Sequence, residues 1–218
     1  MTQFWFSFFL CFTMVLLGDV PYPRFQYGRD ACYQPLIVNG KIILDSDNSS
    51  GGNWIIFDRY QAIKTFLDRF DRPLKVLDIG ANSGFFSLKI AEDYPGSHCV
   101  MIDGSSRLAD ICMANTERNN ILYLQKYFNI HDLRELVQRE RFDVILCLHV
   151  LHHVDHWNLW LPELKKMGCY LVAEIPPLND GINTFSHTRA LTSHILTYEK
   201  YEELGRFPRG RGGPEDYL

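Results

Sequence analysis

The chain has 218 residues, a length that suits one domain, since domains usually contain roughly 100–200 residues. Hydrophobic residues make up 46% of the chain and charged residues 22%, and this balance excludes a disordered polypeptide. The net charge of −4 provides no overall positive field for a phosphate backbone, so nucleic acid is not the expected partner and small molecules are favoured.

The first 18 residues form a hydrophobic N-terminal segment. Residues 4–17 are almost entirely apolar, but this run is shorter than the about 20 residues that span a membrane. It also lacks the positive charges that precede the apolar core of a signal peptide. We therefore expect residues 4–17 to dock the protein at a membrane or to cover a site, with a targeting signal in residues 1–18 as the alternative.

An N-terminal extension over residues 19–53 follows. Two short apolar runs, 36–38 and 42–44, flank the dipeptide Asn39-Gly40 within it. Asn-Gly suits a two-residue turn with positive φ angles, so this pattern predicts a β-hairpin.

Residues 54–218 are predicted to form the main domain. It opens with an amphipathic helix from Ile55 to Phe70, where apolar residues recur at helical spacing, and Pro73 follows its end. Strand and helix patterns then alternate, which predicts an α/β fold of the doubly wound type, a mostly parallel sheet with helices on both faces. The predicted strands are 75–79, 98–102, 121–126, 143–148 and 169–175, and the predicted helices lie near 84–93, 106–118, 131–140 and 157–167.

A glycine-containing turn follows the first of these strands. Gly80 and Gly84 allow the backbone to come within contact distance of a ligand, where a Cβ atom would intrude. The pattern is D-x-G-x-x-x-G rather than the G-x-G-x-x-G of a dinucleotide site, and Asp78 would repel a phosphate. The sequence therefore predicts a neutral or cationic ligand at the carboxyl end of this strand.

This run resembles motif I of the class I S-adenosylmethionine (SAM) dependent methyltransferases, and the resemblance extends from about Tyr60 to Pro177. The resemblance implies that SAM is the cofactor. It also implies that Gly80 and Gly84 line the methionine part of SAM, and that Asp78 helps to orient the amino group of SAM, directly or through water.

The same resemblance assigns further cofactor contacts. The family places an acidic residue at the end of the second strand, where its carboxylate accepts hydrogen bonds from the ribose hydroxyls, and Asp103 stands there. The family usually has an acidic residue near the adenine, after the third strand, but this chain has Tyr127-Phe128-Asn129. We predict that Phe128 packs on the adenine and that Asn129 accepts a hydrogen bond from its amino group. The other predicted cofactor-binding residues are Asn82, Gly104 and Leu148.

The run from Phe142 to His156 resembles the fourth-strand motif of this family, after which residues face the methyl group. It lacks the Asn-Pro-Pro-Tyr sequence that marks amide and adenine N-methylation. A hydroxyl acceptor must lose a proton, a task that suits histidine, and His149 is our first candidate for this base and His153 the second. Alternatively, His152 and His153 pack against the helix that follows, and His149 bonds only to backbone.

Neither the histidine-rich run nor the cysteines predict a metal site. Mg²⁺ prefers carboxylates and zinc needs about four ligands, which the run around Asp155 does not supply, so we assign no metal. The six cysteines show no paired spacing. Three of them lie in apolar strand-like runs, which predicts buried side chains for Cys99, Cys147 and Cys169.

The C-terminal part of the chain departs from the family pattern. Glu174 ends the fifth predicted strand, and we expect it to face the acceptor. Residues 206–213 are rich in arginine and glycine and are predicted to form a mobile loop. The family normally closes with an antiparallel pair of strands, which residues 197–218 do not suggest, so we expect a divergent or truncated C-terminus.

These features predict a metal-independent, SAM-dependent methyltransferase that acts on a small-molecule or surface-linked acceptor, through oxygen rather than nitrogen. Two alternatives stay open. One is methylation of RNA or protein, and the other is a non-catalytic relative that binds SAM. A basic stripe joining Arg206, Arg209 and Arg211 to Lys64 or Arg69 would favour the first. Because the cofactor is cytosolic and the cysteines are unpaired in spacing, we expect a cytoplasmic protein, with membrane association or secretion if residues 1–18 act as a signal. The sequence does not determine the oligomeric state.

Overall fold

The computed structural model describes most of the predicted main domain. The described residues are 34–38, 41–43, 52–105, 120–154, 156–176, 186–197, 201–209 and 213–217. The hydrophobic segment 1–18, most of the extension, the turn at Asn39-Gly40 and the predicted helix 106–118 lie outside these ranges. The predictions made for them stay predictions.

The described part begins with a short hairpin and a long helix. Strands β1 (Leu36–Val38) and β2 (Lys41–Ile43) pair antiparallel, as the flanking apolar runs predict. Helix α1 (Gly52–Leu67) follows and buries its apolar stripe, including Ile56, Tyr60 and Ile63.

Five parallel strands form the central sheet. They are β3 (Lys75–Ile79), β4 (His98–Asp103), β5 (Ile121–Gln125), β6 (Phe142–Leu148) and β7 (Gly168–Glu174). Their spatial order is β5-β4-β3-β6-β7, and every neighbouring pair is parallel. The strand predictions are confirmed to within one residue at each end, because buried parallel strands are continuous apolar runs that stand out in a sequence.

Helices cover both faces of this sheet, which confirms the predicted doubly wound architecture. The described helices after α1 are α2 (Phe85–Asp93), α3 (Ile130–Arg139), α4 (Trp157–Met167) and α5 (Ser186–Leu196), with a 3₁₀ turn at Leu151–His153. Side chains alternate between faces along a strand, so Leu77 packs with α3 and α4 while Asp78 points to the opposite face. There Asp78 meets Ser87 of α2, and Phe85 of α2 packs against α1.

The strand order reverses at β3. The chain moves from β3 to β4 and β5 on one side and then returns to β6 on the other side, which leaves a crevice at the carboxyl end of β3. Asp78, Gly80, Asp103 and His149 all lie at or just beyond the carboxyl ends of β3, β4 and β6. The topology therefore gathers the predicted site residues at one edge of the sheet.

Two predictions for the rest of the chain are wrong. Residues 206–213 do not form a simple loop, because β8 (Arg206–Arg209) and β9 (Gly213–Tyr217) pair antiparallel in a separate two-stranded sheet. These strands are polar and held by backbone hydrogen bonds, so they show no apolar alternation. Cys169 is exposed rather than buried, because it lies near the start of β7, at the sheet edge in the described ranges. Cys99 and Cys147 are buried as predicted.

Within the described ranges, we find no helix with both the length and the apolar character needed to cross a membrane.

Helix α3 starts with a reciprocal capping arrangement. The side-chain oxygen of Asn129 accepts hydrogen bonds from the backbone N–H groups of His131 (2.8 Å) and Asp132 (3.2 Å). The Asp132 carboxylate accepts in turn from the backbone N–H of Asn129 at 3.1 Å. These bonds satisfy donors that a helix start otherwise leaves without a partner.

We predict that Asn129→Ala lowers the free energy of unfolding by about 1 kcal/mol, because it removes this cap. Urea denaturation followed by circular dichroism measures the change. Asn129→Asp retains an oxygen acceptor and is expected to stay within a few tenths of a kcal/mol of the wild type. Equal stability of the alanine variant and the wild type would show that the cap contributes nothing.

Candidate active site

The loop after β3 adopts a conformation that requires its glycines. Gly80 and Gly84 have φ angles of +72° and +79°, and Asn82 between them has a φ of +53°. The backbone N–H groups of Gly80 and Ala81 donate to the carbonyl of Ile102, at 2.8 and 3.1 Å, which ties the loop to the end of β4. Most side chains are strained at φ angles of this kind, so Gly80 and Gly84 are favoured by the loop conformation itself.

Gly80 also brings the end of β6 against this loop. A Cβ atom at Gly80 would lie 2.4 Å from Cγ2 of Val150, closer than atoms can approach. Val150 directly follows His149, and Leu148, the predicted cofactor contact, is buried at the end of β6. The predicted cofactor loop and the predicted reacting residue are therefore in adjacent backbone segments.

Gln34 holds the N-terminal hairpin against the other end of the loop. Its side-chain oxygen accepts hydrogen bonds from the Ser83 hydroxyl (3.1 Å) and from the backbone N–H of Phe85 (3.3 Å) at the start of α2. Sequence reasoning missed Gln34, since a glutamine 49 residues before Ser83 carries no local signal.

Asp78 is buried beneath the loop. Its carboxyl group accepts a hydrogen bond from the Ser87 hydroxyl at 2.8 Å. The pKa of Asp78 is raised to about 7, mainly by burial; the Ser87 hydrogen bond acts in the opposite direction, and the nearby Asp103 adds to the rise. A buried carboxyl group with this pKa is stabilised as an anion when a positive charge comes close to it.

Asp103 links the ends of β3 and β4. Its carboxylate accepts hydrogen bonds from the backbone N–H groups of Asn82 (2.8 Å) and Ser105 (2.7 Å). A carboxylate has about four acceptor positions, so Asp103 retains the capacity to accept from ligand hydroxyls. The structure thus gives Asp103 both a turn-stabilising role and the chemistry predicted for a ribose ligand.

The structure places Tyr127 and the two residues predicted to contact the adenine, Phe128 and Asn129, in different surroundings. Tyr127 is 84% exposed, and its ring lies over Gly104, where a Cβ atom would come within 2.4 Å of it. Phe128 instead packs edge-on against Trp160, with ring centroids 6.2 Å apart, and the Asn129 oxygen caps α3. Tyr127 was not predicted to make a contact, because a glycine partner has no side chain to suggest one. The adenine contacts of Phe128 and Asn129 stay predictions.

His149 lies at the carboxyl end of β6 with a positive φ of 57°. Its backbone N–H donates to the carbonyl of Glu174 at 3.3 Å. The imidazole Nε2 lies 3.6 Å from Oε1 of Glu174. The alternative prediction was that His149 bonds only to backbone. Its N–H does bond to backbone, but its imidazole also approaches a carboxylate, which that alternative did not include.

The two following histidines lie in the 3₁₀ turn. His152 is buried, and its ring centroid lies 5.2 Å from that of His149. His153 is exposed and contacts the His152 ring, with centroids 4.0 Å apart. The ring of His152 therefore neighbours both His149, our first candidate base, and His153, our second.

Glu174 is buried and forms an ion pair with Arg59 of α1. The side chains of Arg59 and Glu174 expose only 8% and 1% of their surfaces, so the expectation that Glu174 faces an acceptor is wrong. Arg59 was also missed, although its position three residues after Ile56 and four before Ile63 places a charge on the apolar stripe of α1.

The residues at this edge fit SAM. Glycines at positions where a Cβ would collide allow close backbone approach, the buried Asp78 suits an ammonium group, and Asp103 has acceptor positions for hydroxyls. In the part of the chain that the structure describes, no three His, Cys, Asp or Glu side chains are grouped to hold a metal ion.

Comparison with known proteins agrees with this fit. The sequence pattern of a family described as "Methyltransferase domain" matches residues 56–180. The O-antigen chain terminator bifunctional methyltransferase/kinase WbdD of Escherichia coli is 30% identical over 116 residues, which cover 52% of this chain and 15% of that protein. A ubiquinone biosynthesis O-methyltransferase of Pelagibacter ubique is 26% identical over 135 residues, which cover 59% of this chain and 53% of the relative.

Solved structures share the fold. Magnesium protoporphyrin IX methyltransferase of Synechocystis PCC 6803 with bound SAM superposes with a TM-score of 0.58 and 16% identity, covering 80% of this chain and 84% of that one. A WbdD structure gives a TM-score of 0.57 at 21% identity, covering 85% of this chain and 44% of that one. The chain spans about half the length, or less, of the curated relatives described above. Since the family pattern covers more than half of the chain, this protein belongs to the methyltransferase-domain family.

Proposed function

We propose that this protein transfers the methyl group of SAM to a hydroxyl oxygen of a small-molecule or surface-linked acceptor, and that His149 accepts the hydroxyl proton. The observation that carries the proposal is the position of His149. It occupies a left-handed conformation at the mouth of β6, one residue before Val150, whose side chain packs on Gly80 of the cofactor loop.

SAM supplies an electrophilic methyl group on a sulfonium, so the protein mainly has to align the acceptor and exclude water. Asp78, Gly80 and Gly84 would hold the methionine part, and Asp103 the ribose. An alcohol becomes a competent nucleophile as it loses its proton, and imidazole is suited to take that proton near neutral pH. His149 is placed for this task at the strand end beside the loop.

The relatives support oxygen as the accepting atom. Two of them, from Pelagibacter ubique and Candida albicans, are ubiquinone biosynthesis O-methyltransferases. WbdD is an O-antigen chain terminator, a name that suggests a surface-linked acceptor without giving the methylated atom. A hydroxyl on a quinone precursor or on a glycan is the acceptor class that these names suggest for this chain.

RNA is the second candidate acceptor, because relatives include a ribosomal RNA small subunit methyltransferase G and a tRNA U34 carboxymethyltransferase. The charge arrangement does not favour it. Arg69 pairs with Glu202 and Arg206 pairs with Glu203, so the predicted basic stripe is largely neutralised by acidic neighbours.

Asp103→Ala is expected to weaken the binding of SAM and of S-adenosylhomocysteine at least about tenfold, because it removes a charge-assisted acceptor for hydroxyl groups and releases the loop. Isothermal titration calorimetry with the full chain measures both affinities. Asp71→Asn, at an exposed carboxylate distant from the loop, serves as the control and should bind like the wild type. Unchanged affinity in the alanine variant would remove Asp103 from the site.

The affinity for SAM should rise with pH between about 5 and 7. Asp78 has its pKa raised to about 7, so below that pH it is protonated and must lose a proton before it can pair with the ammonium group of SAM. The dissociation constant should therefore fall as the pH approaches 7, by up to about tenfold per unit. Calorimetry across this range checks the slope, and Asp78→Asn should bind more weakly with a flatter profile. A wild-type profile that is flat contradicts the assignment of Asp78.

His149→Gln should lower kcat by about 10²–10⁴-fold and leave the affinity for SAM unchanged, because general-base help has this magnitude and the cofactor contacts remain. Radiolabelled methyl transfer from SAM is measured on a catechol, a hydroxyl-bearing glycan, a primary amine and total RNA. His98→Gln, at an exposed histidine at the start of β4, is the matched control. Preferential labelling of the amine or the RNA, or full activity of His149→Gln, contradicts the proposal.

A further inference from the structure

Three charged or titratable side chains from three separate elements meet beside the reacting end of the site. Arg59 comes from α1, Glu174 ends β7, and His149 follows β6. Each carboxylate oxygen of Glu174 faces a different partner. Oε2 faces the Arg59 guanidinium, and Oε1 lies 3.6 Å from Nε2 of His149. The exposed fraction of the side chain is 8% for Arg59, 1% for Glu174 and 20% for His149.

A buried ion pair of this kind needs an explanation other than stability. Removing two charges from water is costly, and their attraction seldom exceeds that cost, so a well-packed apolar pair is often as stable or more stable. The Arg59–Glu174 pair links residues 115 positions apart. Glu174 of this pair also lies 3.6 Å from Nε2 of His149, a residue with a proposed chemical role.

We propose that Glu174 and Arg59 are positioning residues for His149, an inference that rests on the proposed role of His149 as proton acceptor. Glu174 engages the Nε2 edge of the imidazole, so that the proton of the neutral ring lies on Nε2 and the lone pair of Nδ1 faces the acceptor. Arg59 holds the Glu174 carboxylate in place and balances its charge.

The backbone supports this arrangement. The N–H of His149 donates to the carbonyl of the same Glu174 residue at 3.3 Å, so both backbone and side chain of His149 are oriented by the end of β7. The strained φ of +57° at a non-glycine residue needs such support from its surroundings. The 3.6 Å separation of Nε2 and Oε1 exceeds a hydrogen bond, and contacts of this kind often tighten when a substrate binds.

The charged and titratable groups around His149 in the described residues come from three elements. Glu174 lies on β7, Arg59 lies behind it on α1, and the 3₁₀ turn contributes His152 at a ring distance of 5.2 Å, with His153 beyond it. Removing the negative Glu174 and removing the positive Arg59 change the electrostatic field at His149 in opposite directions. If the two residues only packed beside His149, their removal would not have opposite effects on it.

The test uses NMR titration of the histidine rings in the folded full chain, without any acceptor, with His149→Gln to assign the resonance. Glu174→Gln leaves Arg59 as a net positive neighbour and should move the His149 titration midpoint to lower pH by at least about half a unit. Arg59→Met leaves a net negative neighbour and should move it to higher pH. Nitrogen chemical shifts should report a proton on Nε2 in the neutral wild-type ring.

Arg69→Met is the matched control, because it removes an arginine from an exposed pair with Glu202 just after α1 and should leave His149 unchanged. If either single variant fails to fold, the Arg59→Met/Glu174→Gln double variant leaves no lone buried charge and should fold. In the double variant, kcat should drop about 10²-fold while the Kd for SAM stays unchanged. Midpoints that stay fixed, or that shift in the same direction in both single variants, overturn the positioning role.

The two proposals fail in different ways. If His149→Gln retains full activity while the midpoints shift as expected, the pairing stands and the proposed base is wrong. If His149→Gln is inactive but the midpoints and the double variant's kcat do not change, His149 acts without these positioning residues.

Discussion

The contact between Gly80 and Val150 sets the separation between the two halves of the active site. One half, built on β3 and β4, carries the residues proposed to hold the cofactor, and the other, built on β6 and β7, carries His149. Parallel pairing fixes the strands laterally, and the absence of a Cβ at Gly80 lets the Val150 side chain, after β6, pack closely against the loop. In the proposed reaction the methyl group and the proton acceptor must lie within a few ångströms of each other, and this packing brings the segment that carries His149 against the loop proposed to hold the cofactor.

The carboxylate of Asp103 adds a second constraint at the same edge. By accepting from the backbone of Asn82 and of Ser105, it fixes the β3 loop and the end of β4 before any ligand arrives. A positive φ at Asn82 is tolerated because this bond holds its N–H. A site held in this way loses less conformational freedom when the cofactor binds, so more of the contact energy is retained as affinity.

The parts of the fold that the sequence predicts are those that local patterns encode. Buried strands are apolar runs, and Asp78, Gly80 and Gly84 lie within seven residues, so both the sheet and the cofactor loop are readable from short windows. The polar strands β8 and β9 are not predicted, because backbone pairing rather than apolar alternation holds them. The contact between Arg59 and Glu174 is not predicted either, because it joins residues 115 positions apart and only the topology brings α1 to the end of β7. Tyr127 was overlooked because its partner is a glycine, which has no side chain to suggest a contact.

The charges at the two halves of the site are arranged differently. Asp78 and Asp103 lie at adjacent strand ends, and the charge of Asp103 contributes to the raised pKa of Asp78. Their combined field favours a cationic ligand over a neutral one, so a sulfonium reactant is held more strongly than the thioether that remains after methyl transfer. On the opposite side, the charge of Glu174 is compensated by its ion pair with Arg59. In the proposed site the negative charge is thus concentrated where the cationic cofactor would bind, and the product cofactor, which keeps its ammonium and hydroxyl groups but loses the sulfonium charge, is held by the same two carboxyl groups less strongly than the reactant.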